Sequence, residues 1–203
     1  MKKNTLLTLS IIGSVTIILL QICRWSLVDL LTPFIEPFVE IIVWGFFCII
    51  LISSLGVGAF RFKKEKQKAF VPFIINLITI LVVIFVPFTR LTTTFDFWFH
   101  IRARENIIEM IQHKELVPNV SYNEELIVLP KKYSALSKGG GEVLVQTSTS
   151  TLHVFFFTFR GVVDNFSGFI YRSDDAYPSE GDFGCEYMNV LKMKNYWYWV
   201  SCS

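Results

Sequence analysis

Residues 69–89 carry no charged side chain, and residues 4–60 carry four: Arg24, Asp29, Glu36 and Glu40. In water such runs would have to bury nearly every side chain, whereas about 20 apolar helical residues cross a hydrocarbon core of about 30 Å. Charge returns beyond Arg90, where residues 91–203 hold ten basic and thirteen acidic groups. That is close to the density of an ordinary globular domain. The overall 18% of charged residues is thus an average over two environments. It excludes a single soluble domain, a disordered chain and a disulfide-dense mini-protein. The chain divides into a transmembrane region, 1–90, and a water-soluble domain, 91–203.

Three transmembrane helices are expected, at Leu6–Trp25, Phe38–Phe60 and Phe70–Phe88. A cleaved signal peptide competes for the first, because Lys2 and Lys3 supply a basic start. Its apolar run exceeds the usual core of up to about 15 residues, and no small-residue cleavage site follows. Between the second and third spans, Arg61-Phe62-Lys63-Lys64-Glu65-Lys66-Gln67-Lys68 sets five basic groups against one acid. Short basic loops stay in the cytoplasm. Lys2 and Lys3 put the N-terminus on that same side, so the domain after Arg90 is expected outside the cytoplasm.

Few polar groups interrupt the spans. The connection Ser26–Pro37 is greasy enough to lie in the interface. Glu36 and Glu40, one helical turn apart, read either as a cation or proton site or as headgroup-level acids near a helix N-terminus. Ser54 and Gly58 allow close helix approach, within the chain or in a homo-oligomer, and Asn76 suits a hydrogen bond to a neighbouring helix. Three spans offer too few aligned polar groups for a conduction path.

In the second half, Thr93 three residues before Asp96 suggests a helix cap. Apolar residues at 97, 101, 108 and 111 follow a helical period, ended before Pro118. Phe95, Phe97, Trp98 and Phe99 suit an aromatic belt at the outer membrane surface. The period then turns to strand at Leu126–Leu129, Glu142–Gln146, Leu152–Phe159, Phe166–Arg172, Glu186–Met193 and Tyr196–Ser201. Leu152–Phe159 is apolar on both faces, as a central strand is. The expected fold is α+β: one helix packed on a mainly antiparallel sheet of five or six strands.

Cys23 and Cys48 fall in spans and act as small hydrophobes. Cys185 and Cys202 fall in the exported domain, where an oxidising exterior favours a disulfide over free buried thiols. No zinc-protease, nucleotide-binding, nucleophile-elbow or C-x-x-C motif occurs. His100, His113 and His153 stand isolated in sequence, and the triple glycine 139–141 lacks the lysine of a phosphate loop. No enzymatic activity, cofactor or nucleic-acid partner is expected; the exported half carries three net negative charges.

Three surface features remain. Asp174, Asp175, Glu180 and Asp182 crowd one loop and form a weak Ca²⁺ candidate, against the reading of a solvated acidic loop. Arg160, Val162, Val163, Asp164, Asn165 and Phe166 form an apolar tip flanked by charge. That tip either binds a partner or folds back over the sheet edge. Trp197 and Trp199 share a strand face, as a ligand platform or as core.

The stretches L-P-K-K-Y-S-A-L-S-K-G-G-G-E, F-F-F-T-F-R-G-V-V-D-N-F-S-G-F-I-Y-R-S-D-D and W-Y-W-V-S, within residues 129–201, resemble a group of small bacterial membrane proteins. The resemblance implies a bacterial plasma membrane and transfers no activity and no site residue. The expectation is a membrane-anchored, non-enzymatic protein presenting an extracytoplasmic domain to a protein or envelope component. Its alternatives are an immunity protein against a toxin and an envelope enzyme.

Overall fold

The computed structural model describes residues 3–148, 150–161, 165–179 and 181–203. The chain forms two compact units, Met1–Thr92 and Thr93–Ser203.

The first unit contains α1 (Lys3–Leu31), α2 (Glu36–Glu65) and α3 (Val71–Phe85), with a 3-10 turn at Lys66–Phe70. Helix α1 runs six residues past Trp25, so much of the expected interfacial connection is helical and the link shortens to Thr32–Ile35. Pro37 and Pro72 sit in the first turns of α2 and α3, where a missing amide hydrogen costs nothing. Lys66, at φ 50°, breaks the helical path between them.

Two helical stretches are long and apolar enough to cross a membrane by length and composition: Thr5–Leu31 and the 50-residue Glu36–Phe85. This corrects the expected count of three separate spans. Helix α3 alone has 15 residues, because Val86, extended before Pro87, stops it. The longer stretch folds back on itself, since Asn76 of α3 hydrogen-bonds Ser54 of α2.

Burial in this unit is inverted relative to a water-soluble bundle. Ser10, Ser14, Ser54, Asn76 and Thr79 face inward, whereas Ile11, Ile12, Val15, Ile42, Phe46, Ile49, Ile52, Ile74 and Ile78 are exposed. Asn76 Nδ2 donates to Ser10 Oγ at 3.1 Å and to Ser54 Oγ at 3.3 Å, and Thr79 Oγ1 pairs with Ser14 Oγ at 2.7 Å. Ser54 and Gly58 are thus used inside the chain. A Cβ on Gly58 would stand 2.9 Å from the Phe70 ring. Arg24 lies 3.6 Å from both Glu36 and Glu40, which gives those acids a counter-charge rather than an open cation site.

Helix α4 (Phe88–Gln112) begins directly after Pro87. Thr93 therefore lies inside the helix, buried, and caps nothing. Six strands follow: β1 (Leu126–Val128), β2 (Glu142–Thr147), β3 (Leu152–Arg160), β4 (Phe166–Arg172), β5 (Tyr187–Lys194) and β6 (Trp197–Cys202). They form one antiparallel sheet in the order β1-β2-β3-β4-β6-β5. Strand alternation along β3 sends Val154 and Phe156 into a cluster with Phe97, Ile101, Ile107, Ile108, Phe169 and Trp197. Phe155 and Phe157 enter a second cluster with Ile170, Phe183, Val200 and the two cysteines. Gly168 is obligatory between them: a Cβ there would collide with the Phe155 ring and the Phe156 carbonyl. The glycines at 139–141 all have positive φ and form a built left-handed turn, not merely a slack connection.

Candidate interaction surface

On the second sheet face pack Phe183 and Tyr177, described residues of the loop in which the acidic residues cluster. Its foot is Arg172 at the end of β4. The Arg172 guanidinium forms a two-pronged contact with Asp174, Nε and Nη2 each donating at 3.1 Å, and also bonds Asp182. Burial opposes the Arg172 charge, and the Asp174 and Asp182 carboxylates more than offset it, so its pKa stays above the ordinary value. The reciprocal effect holds Asp174 down at about 2. Asp182 also accepts from the Ser179 amide at 3.1 Å.

Asp175 points elsewhere. Its carboxylate takes both Lys192 Nζ contacts, at 3.0 and 2.9 Å, and the Tyr196 amide at 2.6 Å. The Tyr196 amide and then the Lys192 ammonium lower its pKa. Tyr198 Oη donates to the Asp175 carbonyl at 2.8 Å. Further along, the Phe183 amide donates to Gln146 Oε1 at 3.2 Å, and the Phe183 ring stacks edge-on to Phe155. Cys185 and Cys202, with Cα atoms 5.4 Å apart, are disulfide-bonded and close the strap.

These contacts decide how the acidic residues are used. Asp174 and Asp182 converge on Arg172, and Asp175 serves Lys192 and the β5–β6 hairpin; Glu180 lies outside the described residues. No group of three or more His, Cys, Asp or Glu side chains suited to a metal ion occurs among the described residues. The carboxylates act here as rivets that hold the strap to the sheet.

His153 sits beside that foot, Nε2 3.8 Å from Asp174 Oδ2. Burial first, then the Arg172 charge, lowers its pKa. It stands at the edge of the network.

The strap and the hairpin each display an exposed tyrosine. Tyr177 on the strap is 65% exposed and Tyr196 at the hairpin tip 45%. Tyr177 lies edge-on to the buried Tyr198, ring centroids 5.9 Å apart, and Tyr196 lies against Tyr171 at 6.3 Å. Asp175 and Tyr196 both adopt left-handed backbone, φ 51° and 68°, and the hydrogen bond between them spans the two segments. Non-glycine residues hold such conformations only where their surroundings over-determine them, a condition that recurs at ligand clamps.

The two other surface expectations come out differently. Trp197 is buried in the cluster that includes Phe97, and Trp199 donates Nε1 to Thr158 Oγ1 at 3.3 Å. They close the sheet and form no open platform. In the other loop, Arg160 bonds Glu142 and the Gly139 carbonyl and lies over the Phe157 ring. Phe166 packs on Phe155 and Phe157, and the Asn165 carbonyl accepts from the Gly161 amide at 2.7 Å. Val162, Val163 and Asp164 lie outside the described residues.

Two buried charges of this unit were not expected from sequence, Arg172 described above and Arg104. Arg104 is 1% exposed and donates to Asp96 Oδ2 at 2.6 Å and to the Leu136 carbonyl at 3.2 Å, its guanidinium 4.4 Å from the Phe169 ring centre. Burial lowers its pKa, and Asp96 offsets that only in part. The only sequence signal for Arg104 was a charge in the apolar stripe of α4, which also fits an arginine stem lying along a surface.

The chain matches no protein-family model, no curated protein and no solved structure. Its class rests on the fold itself: an apolar helical unit joined to an α+β unit with a disulfide-closed strap.

Proposed function

We propose that this chain is a membrane-anchored, non-enzymatic binding protein. Unit 1 lies in a plasma membrane, and the Thr93–Ser203 unit stands outside the cytoplasm, where it binds a protein or cell-envelope component. The observation that carries the binding role is the tyrosine pair Tyr177 and Tyr196, exposed on two segments locked together through Asp175. Tyrosine offers large amphipathic contact area with little side-chain entropy to lose, and pre-organised segments lose less on binding.

The membrane placement is supported by the inverted burial of unit 1. Without a hydrophobic drive between helices in lipid, small and polar side chains form the interface and apolar ones face outward. In this reading the Glu36–Phe85 stretch crosses twice. Its halves are joined by the Ser54–Asn76 hydrogen bond, and the uncharged sequence continues past Phe85 through Phe88 to Thr89, which lengthens the return leg to the scale of a bilayer core. The basic turn between them lies in the cytoplasm by the positive-inside rule. The disulfide in the second unit agrees with an oxidising exterior.

Photo-crosslinking residues placed singly at 177, 196 and, as a control, the exposed 122 test the binding role in intact cells. Discrete adducts from 177 and 196 but not from 122 are expected. A resident envelope component in the adduct supports the adaptor reading, and a secreted toxin as the sole adduct selects an immunity protein. Equal labelling at all three positions, or none at 177 and 196, overturns the surface assignment.

A further inference from the structure

Unit 1 contains a cavity of about 330 Å³ at the end of the bundle that carries the basic turn. Its walls are Leu6 and Leu7 from α1, Val57 from α2, Ala69 from the 3-10 turn, and Val71 and Pro72 at the start of α3; its charged residues are Arg61, Glu65 and Lys68. Arg61 and Glu65 lie 3.7 Å apart, one turn apart on α2. The cavity therefore has an apolar body and a mouth of two cations and one acid. The amino end of α3 adds the partial positive charge of a helix N-terminus. Lys63, Lys64 and Lys66 on the same turn are exposed and line none of it.

We propose that this cavity binds one anionic phospholipid, with a segment of acyl chain against Leu6, Leu7, Val57 and Ala69 and its phosphate at Arg61 and Lys68. The inference rests on the reading of unit 1 as membrane-embedded. Two features favour a lipid over a free anion. An apolar wall stabilises nothing on inorganic phosphate, whereas it replaces the bilayer contacts an acyl chain gives up. Basic pockets between helices at the cytoplasmic face are also where anionic headgroups concentrate. Gly58 keeps the site in shape: the space a Cβ would need there is taken by Phe70 and the Ala69 carbonyl, so the turn that carries Lys68 and Ala69 is held close against α2.

The test uses the full chain purified in mild detergent, titrated with short-chain phosphatidylglycerol or phosphatidylcholine, with bound lipid read by native mass spectrometry. Selective binding of phosphatidylglycerol is expected, undisturbed by inorganic phosphate. Lys68→Gln, which spares the Arg61–Glu65 pair, should weaken it about fivefold, and Arg61→Gln with Lys68→Gln about thirtyfold. Val57→Trp, which fills the apolar body and keeps every charge, should abolish it. Lys63→Gln with Lys64→Gln, which removes the same charge outside the cavity, should leave it nearly unchanged. Equal binding of both lipids, displacement by phosphate, indifference to Val57→Trp, or an equal loss in the Lys63/Lys64 variant overturns the proposal. Alkaline carbonate extraction separates the two ways of failing. A chain that stays in the membrane and ignores phosphatidylglycerol refutes the lipid site alone, and a chain that is extracted refutes the membrane reading beneath it.

Discussion

Turned inward in the first unit are Ser10, Ser14, Ser54, Asn76 and Thr79; turned inward in the second are Val154, Phe155, Phe156, Phe169 and Trp197. Outward, the first unit shows isoleucine on all three helices and phenylalanine on α2 and α3, while the second shows Lys192 paired with Asp175 of the strap. One chain thus contains two packings with opposite signs. In water, apolar burial drives collapse at roughly 25 cal/mol per Å². In lipid that term vanishes between helices, and close packing with hydrogen bonds takes its place. Neither packing is pure. Leu6, Ile17, Leu20 and Phe47 are among the apolar residues buried in the helical unit, where they fill space, and Arg104 is among the polar residues buried in the sheet unit, where Asp96 and the Leu136 carbonyl satisfy it.

The comparison is most directly stressed by Phe156→Ala, which opens a cavity in the fully buried centre of the sheet. A loss of about 3–5 kcal/mol is expected, measured by denaturant-dependent hydrogen exchange in β2 and β3. Next in size is a matched pair of exposed sites. Ile49→Lys should disfavour membrane insertion by about 3 kcal/mol, read as the carbonate-resistant fraction. Met188→Lys, equally exposed on β5, should change stability by less than about 0.5 kcal/mol. If both lysines are tolerated, the outer face of unit 1 is wetted by water and the contrast collapses.

Asn76→Ala removes the hydrogen bonds to Ser10 and Ser54 and should cost about 1 kcal/mol, seen as lowered thermal stability in detergent. The smallest effect is one of pH. Asp174 is depressed to about 2 by Arg172, so the unfolded chain holds the proton more tightly than the folded one. The stabilisation is complete above about pH 4 and is lost as pH falls through 2. His153, also depressed, adds a loss of the same sign below its ordinary value of about 6.5. Protection of strap amides should therefore fall on acidification while the β3 amides stay protected.

Much of the architecture was legible because periodicity reports local physics. The run of alternating and two-faced apolar segments located all six strands to within about two residues, since side-chain direction in a strand reverses at every residue. Element ends set by a partner were less visible. The continuation of α1 to Leu31 and the start of α4 at Phe88 depend on packing and on Pro87, and a capping pattern at Thr93 is only a local preference. The strap shows the same limit for a site. Its acidic composition marked Ser173–Gly184 as special, but counting carboxylates points to Ca²⁺. That Asp174 and Asp182 share one arginine, and that Asp175 reaches the amide of Tyr196, are contacts across the fold with no sequence period. Tyr177 and Tyr196 lacked any signal of their own, because the link between their segments runs through the Asp175 carboxylate and the Tyr196 amide, a contact across the fold.

The central claim, that unit 1 sits in lipid and delivers the second unit to the far side, is tested most directly by reporters fused after Ser203. A pair is used, one active only outside the cytoplasm and one active only inside. The account predicts activity of the external reporter alone, with Cys185 and Cys202 resistant to thiol labelling until reduced. Activity of the cytoplasmic reporter alone, with both thiols freely labelled in the folded chain, would contradict the orientation and the exported disulfide together.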